Sequence, residues 1–277
     1  VLKIAYTPDS DDAFSYYAWE HGLVTLEGHD VEFRRHHIGE LNQAAAREEY
    51  DVIATSSVVY PELADRYQVL ATGTSVGRGW GPTLVGQVGT TLAQVRGQKV
   101  AVGGHPTTGS VLAQLYTDPG ELVCMHYEKI IDAISNSQVA AGVMIHEEIL
   151  SYEERGLQTV LDFGKAWWDE TGLPLPVGLN LVRRDLGSDL ARRIATVCYR
   201  SLCWALQNPE PAFAFAHQFG RGKARKHVEM FSNRDTLCLP ADAREGLRLL
   251  LARRAALGMA APPAAIEFID PETGAPW

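Results

Sequence analysis

Short apolar runs along this chain alternate with longer stretches in which apolar residues recur every three or four positions. The first run, Leu2–Tyr6, predicts a strand, and a helix over Asp11–Glu20 follows with Asp9 or Ser10 as its N-cap. Val31–His36, Asp51–Thr55, Tyr67–Ala71 and Pro82–Gly86 read as further strands. Helices are expected at Ile38–Arg47 and from Ser56 or Ser57 through Leu63. A second set begins with a strand at Lys99–Val102 and a helix from Thr107 to Tyr116. Strand Leu122–His126, helix Glu128–Ser135 and strands Ala140–Ile145, Thr159–Asp162 and Val177–Val182 complete it. Everything after that is helical in pattern: Ser188–Leu206, Pro209–Phe219, Ala224–Phe231 and Ala241–Leu257. The Pro-rich tail beyond Ala261 is expected to be extended.

This alternation marks an α/β protein with mainly parallel sheets. Its order suggests a discontinuous first lobe, residues 1–88 with 178–277, and an inserted second lobe, 97–174. Crossings at 88–97 and 174–178 would form a hinge. One doubly wound sheet with appended helices fits the same pattern. In either plan ligands sit at the C-terminal ends of strands, near helix N-termini.

The length of 277 residues supports two domains over one at about 150 residues each. Apolar residues are 46% and charged residues 21%, enough to bury a large core without disulfides or metals. The formal net charge of −9 argues against a nucleic-acid surface, yet leaves room for one small anion in a pocket. Cys124, Cys198, Cys203 and Cys238 include no Cys-x-x-Cys pair and are expected as reduced, mostly packed thiols. Leu249–Ala252 stops at Arg253-Arg254, so no apolar run inserts into a membrane. The chain opens as a strand and not as a secretory leader. A cytoplasmic protein is therefore the expectation.

Six segments carry candidate chemistry. Asp9-Ser10-Asp11-Asp12 follows the first strand; it either orients substrate hydroxyls or caps a helix and offsets its dipole. Thr55-Ser56-Ser57 places hydroxyls at a strand end. Gly77-Arg78-Gly79-Trp80-Gly81-Pro82 is no dinucleotide fingerprint, since Pro82 stands where the third glycine belongs, and no P-loop. Its glycines allow close approach to a ligand or to a neighbouring loop. Gly103–Ser110 opens a helix, with Thr107 and Thr108 beside exposed N–H groups, and is the best anion-binding candidate. His146 leaves the end of an apolar strand, where a histidine can exchange protons or merely pack. His36, His37, His126, His217 and His227 are less suggestive, and none has zinc-site spacing. Trp167-Trp168 through Pro174-Leu175-Pro176 would either wall an aromatic-ligand pocket or pack between lobes.

Together the segments resemble one family, the 1,4-dihydroxy-6-naphthoate synthases of the futalosine route to menaquinone. The carrying residues are Gly77–Pro82, His105 with Thr107-Thr108, Ile145-His146-Glu147, and Trp167-Trp168 through Thr171-Gly172-Leu173-Pro174-Leu175-Pro176. The match runs from about Leu2 to Leu206. Two positions depart from the pattern. Many members have Pro-Asn-Asp-Thr-Phe where this chain has Ser10-Asp11-Asp12-Ala13-Phe14, and a common lysine is Ala54 here.

The resemblance implies a two-lobed, type II periplasmic-binding-protein-like α/β fold with a helical C-terminus, used as an enzyme. It implies cyclic dehypoxanthine futalosine, a small aromatic carboxylate, as substrate. The products would be 1,4-dihydroxy-6-naphthoate and a three-carbon dihydroxyacetone fragment, with no metal or redox cofactor. His146 would be the base. Ser56, Thr107, Thr108, Asp9, Gly81, Trp168 and Pro174 would line the substrate cleft. As a neutral imidazole His146 would act on a substrate hydroxyl, its charge suppressed by partial burial. Two other functions use the same fold: a transporter's solute-binding protein, which needs export and no base, and chorismate dehydratase. The Ile145-His146-Glu147 match argues against the second.

Overall fold

A computed structural model of the chain describes residues 1–220, 222–261 and 265–273. Strand β1 (Leu2–Tyr6) leads to α1 (Ser10–Glu20), β2 (Val31–Arg35), α2 (Ile38–Ala46) and β3 (Val52–Ser56). A 3₁₀ turn, Ser57–Glu62, precedes the long β4 (Tyr67–Gly77). The chain then builds β5 (Thr83–Gln87), α3 (Leu92–Val95), β6 (Lys99–Val102), α4 (Thr108–Thr117), β7 (Glu121–Cys124), α5 (Ile130–Ser135), β8 (Ala141–Met144), β9 (Leu157–Asp162) and α6 (Phe163–Thr171). It returns through β10 (Leu175–Arg183). After that come α7 (Ser188–Gln207), α8 (Pro209–Ala216), α9 (Ala224–Phe231), α10 (Arg234–Leu237), α11 (Ala241–Ala256) and β11 (Phe268–Ile269). Of the tail expected to be extended, Pro262, Pro263, Ala264 and residues 274–277 lie outside the described residues.

The strands form two sheets, ordered β11-β4-β10-β3-β1-β2 and β7-β6-β8-β5-β9. Both repeat one plan. β2, β1 and β3 run parallel, as do β7, β6 and β8. Next to each trio lies one antiparallel strand, β10 or β5, and it is the strand that arrives from the other sheet. This gives the two-lobed type II binding-protein arrangement, with α7–α11 packed mainly on the first lobe.

One boundary differs from the sequence reading. Thr83–Gln87, assigned there to the first lobe, pairs with β8 and β9, as in Leu84↔Val143 and Leu84↔Leu161. The first crossing therefore lies between Gly77 and Thr83, not at 88–97. A short apolar strand fits either sheet equally well, so pattern alone could not assign it. The return enters β10 at Leu175.

Burial follows the periodicity. Ile4, Ile53 and Leu181 on central strands are fully buried, each stabilising the fold by about 1.5–3 kcal/mol. In α7 the buried positions Ala191, Ile194, Ala195, Cys198, Leu202 and Ala205 form the stripe of a helix packed on one face. All four cysteines are free thiols; Cys198 is buried, whereas Cys124 is exposed, against the expectation of packing. Among the described residues no helix is long and apolar enough to cross a membrane.

Candidate active site

A cleft lies between the two sheets, where β1, β3, β6 and β8 end. Its walls include Asp9, Asp11, Asp12 and Ser56 from the first lobe, and Gly81, Thr107, Thr108 and His146 from the second. Ile38, Ile145, Ile149, Val177, Leu179 and Phe231 make the apolar part of the lining. The cavity measures about 110 Å3, several times the roughly 10–15 Å3 that one water needs.

His146 and Asp9 meet across this cleft. His146 Nδ1 lies 2.7 Å from Asp9 Oδ2, with the side chains only 16% and 3% exposed. Asp9 has the extended backbone of the α1 N-cap, yet its side chain makes no capping hydrogen bond. A cap of this kind is worth about 1 kcal/mol; here the carboxylate turns to the histidine instead. His146 has φ +55, an uncommon value for a residue with a side chain. Such backbone costs on the order of 1 kcal/mol and is concentrated at functional positions. Tyr127 stands edge-on to the imidazole, ring centres 5.1 Å apart. Nothing in the local sequence of either residue marks the Asp9 contact. A carboxylate on Nδ1 fixes the ring's orientation and makes Nε2 the basic nitrogen of the neutral form.

The other two acids of the segment are also buried, which changes their expected role. Macrodipole compensation is worth about 0.3–1 kcal/mol at an exposed site, whereas burying a carboxylate costs several kcal/mol. Asp12 accepts hydrogen bonds from Thr7 N at 3.0 Å and Thr7 Oγ1 at 2.6 Å. Asp11 accepts one from Ser75 Oγ at 3.3 Å and faces His227 Nδ1 at 3.5 Å. Burial pushes both carboxyls well above the usual range, and neighbouring aspartates add to the rise. Among the described residues no three His, Cys, Asp or Glu converge as metal ligands do.

Ser56 is gripped by Asn42, which donates to its Oγ at 3.1 Å and accepts from its N–H at 2.9 Å. The hydroxyls of Thr107 and Thr108, expected as anion donors, are both engaged within the protein. Thr107 Oγ1 donates to Gly104 O at 3.0 Å and accepts from Ser110 N at 3.2 Å, capping α4. Thr108 Oγ1 donates to Val177 O at 2.7 Å. What α4 offers the cleft is its first-turn backbone. The N–H groups of Thr108 and Gly109 have no acceptor among the described residues.

Two expected cleft residues lie elsewhere. Trp168 is 36% exposed and absent from the lining. Trp167, its neighbour on α6, is fully buried and donates Nε1–H to Pro174 O at 3.3 Å. Consecutive helical residues point about 100° apart, so one tryptophan faces inward and the other leaves. Pro174 packs against α11, where a Cβ on Gly246 would come within 2.1 Å of its carbonyl oxygen. The glycine loop closes on protein: a Cβ on Gly164 would lie 1.9 Å from the Trp80 carbonyl carbon. Of its residues, Gly81 and Pro82 reach the cleft.

Sequence reasoning passed over His227, Phe231, Ser75 and Asn180. The available signal was His227 itself, which interrupts the buried stripe Ala224, Val228, Phe231 on α9.

The chain belongs to the menaquinone biosynthesis family, whose profile matches residues 2–256. It is 34% identical over 266 residues to the 1,4-dihydroxy-6-naphthoate synthase of Thermus thermophilus, covering 94% of this chain and 96% of that one. The enzyme of the same name from Streptomyces coelicolor is 34% identical over 269 residues, covering 93% and 94%. A crystal structure of an Archaeoglobus fulgidus protein superposes with a TM-score of 0.88 at 34% identity, covering 93% of this chain and 98% of that one. The ligand-binding component of a Staphylococcus aureus ABC-type import system shares the fold, with a TM-score of 0.71 at 14% identity over 98% and 96% of the chains.

Proposed function

We propose that this protein is a 1,4-dihydroxy-6-naphthoate synthase, a carbon–carbon lyase of menaquinone biosynthesis. Its substrate is cyclic dehypoxanthine futalosine, an aromatic carboxylate, and His146 is the base. The observation that carries this reading is the Asp9–His146 pair in the interlobe cleft of a chain from this family. With Asp9 on Nδ1, His146 Nε2 takes the proton of a substrate hydroxyl. The oxygen's electron pair forms a carbonyl, the adjacent C–C bond breaks, and its pair leaves with the three-carbon fragment as an enolate. The N–H groups of Thr108 and Gly109 hold a substrate anion at the start of α4. Ser56, oriented by Asn42, hydrogen-bonds a ring oxygen. Ile38, Ile145 and Phe231 exclude water from the enolate. On this reading the protein works in the cytoplasm, which its free thiols suit.

The test is incubation with cyclic dehypoxanthine futalosine, following the naphthoate by absorbance and mass. Turnover by the wild type, with a loss of about 10²–10⁴-fold in His146→Ala and His146→Asn and little change in affinity, supports the reading. Binding without turnover makes the protein a solute binder, and dehydration of chorismate makes it the other enzyme of the fold. Either result overturns it.

A further inference from the structure

The cleft contains a second histidine–aspartate pair. His227, on α9, is 3% exposed and lines the same cavity as His146. Its Nδ1 lies 3.3 Å from Ser10 Oγ and 3.5 Å from Asp11 Oδ1. Ser10 Oγ donates its one hydrogen to Glu147 Oε1 at 2.5 Å. Toward His227 it can therefore only accept, so Nδ1 carries the ring proton and Nε2 is the basic nitrogen. Among the described residues none bonds Nε2. Phe231 holds the ring from one side, centres 5.0 Å apart. The imidazole is thus fixed at Nδ1, buried, and basic at Nε2 on the wall of a substrate cavity.

We propose that His227, seated by Asp11, is the second proton-transfer residue of the cleft and drives aromatisation after C–C cleavage. The inference rests on the lyase reading above. Cleavage by His146 leaves the ring as a ketone and the three-carbon fragment as an enolate, with one proton on His146. Aromatisation removes a carbon-bound proton next to the ring ketone. His227 Nε2 takes that proton, the C–H pair becomes the ring double bond, and the ketone oxygen takes the proton held by His146. The enolate carbon of the fragment then takes the proton from His227. Both histidines end neutral, with one ring oxygen a hydroxyl. A second ring oxygen that is still a ketone enolises by the same exchange: His227 takes the adjacent carbon-bound proton and returns it to the oxygen. The two products therefore hold all the substrate's atoms without a co-reactant. A second imidazole lets the carbon acid ionise while His146 still holds the hydroxyl proton.

The electrostatics keep the ring in its neutral, proton-accepting form. Burial pushes the His227 imidazole below its usual range, so it is neutral near pH 7. The groups around it act in both directions: Asp9, Glu147 and Glu148 favour its protonation, and His146 opposes it. Asp11 and Asp12, on α1, are the remaining acids of the wall it faces.

His227→Gln and Asp11→Asn test the assignment, with circular dichroism and melting to confirm folding. His227→Gln should lower kcat about 10²–10³-fold with KM within threefold. In single turnovers it should accumulate a species with the product's mass but without the naphthoate absorbance. Asp11→Asn keeps the imidazole and loses its anchor; kcat should fall about tenfold with KM unchanged, and it decides the matter if His227→Gln does not fold. Wild-type kcat in either folded variant, or a KM effect alone, overturns the proposal while leaving the role of His146 standing. A wild type that forms no naphthoate overturns this proposal together with the lyase reading.

Discussion

His146 Nδ1 and Asp9 Oδ2 are 2.7 Å apart although they belong to different lobes, Asp9 following β1 and His146 following β8. Ser10 and Glu147, the next residue on each side, make a second bond across the same gap at 2.5 Å. The carboxylate that orients the histidine at Nδ1 therefore comes from the opposite lobe.

Replacing Asp9 with Asn should separate orientation from binding. The amide can offer Nδ1 a hydrogen where the carboxylate accepted one, which shifts the ring proton toward Nε2. We expect kcat to fall about 10²–10⁴-fold, with KM within a few-fold, in steady-state assays of naphthoate formation. A variant with normal kcat and raised KM would mean that Asp9 holds substrate and not the histidine.

Thr107 should behave as a structural cap. Its hydroxyl joins Gly104 O to Ser110 N and is committed before any ligand arrives. Thr107→Val should lower stability by about 0.5–2 kcal/mol in denaturant unfolding, and Thr107→Ser should restore it. If valine leaves the midpoint unchanged but abolishes substrate binding, the hydroxyl is a ligand after all.

The fold was legible in the chain because its elements are regular. The α9 range, Ala224–Phe231, follows directly from periodicity, and β1, β6 and most helices fall within a residue or two. What was not legible depended on partners distant in sequence. Asp9 reads as a helix cap because that is what an acid before a helix usually does; its actual partner is 137 positions away. Thr83–Gln87 could not be given a sheet from five residues, and Trp168 could not be placed without the helical phase of α6. His146 was legible because its strand is apolar to the last residue, so the side chain that follows must emerge at the edge. His227 was not, because a single histidine in a buried helical stripe is most often packing.

Gly164 marks where the glycine loop is held. A methyl there would overlap the Trp80 carbonyl at the base of the loop that carries Gly81 and Pro82 into the cleft. Backbone on both sides leaves no flexible side chain to move aside. Gly164→Ala should cost about 1–3 kcal/mol of stability and lower activity as well. A variant that melts with the wild type would show that the two segments can separate freely.

The buried acids and His227 should make stability depend on pH in opposite senses. Asp11 and Asp12 have carboxyl pKa values raised first by burial and then by neighbouring charge, Asp9 acting on Asp11, and Asp11 and Asp9 on Asp12. The native state therefore keeps protons that the unfolded chain releases above the ordinary carboxylate range of about 4. Their contribution is full below that range and is lost as pH rises through the elevated native values. The maximum slope is about 1.4 kcal/mol per pH unit for each proton. His227 has a lowered pKa, so the native state refuses a proton that an unfolded histidine accepts below about 6.5, and stability is lost as pH falls there. Between about 4 and 6.5 the two effects oppose each other, and above about 6.5 only the two acids still titrate, so denaturant midpoints of the ligand-free protein should fall from there until both are ionised, at about 8. Asp12→Asn should flatten that fall: asparagine keeps an oxygen for the Thr7 N–H and hydroxyl but has nothing to ionise. Parallel falls in the wild type and Asp12→Asn would place the titrating group elsewhere.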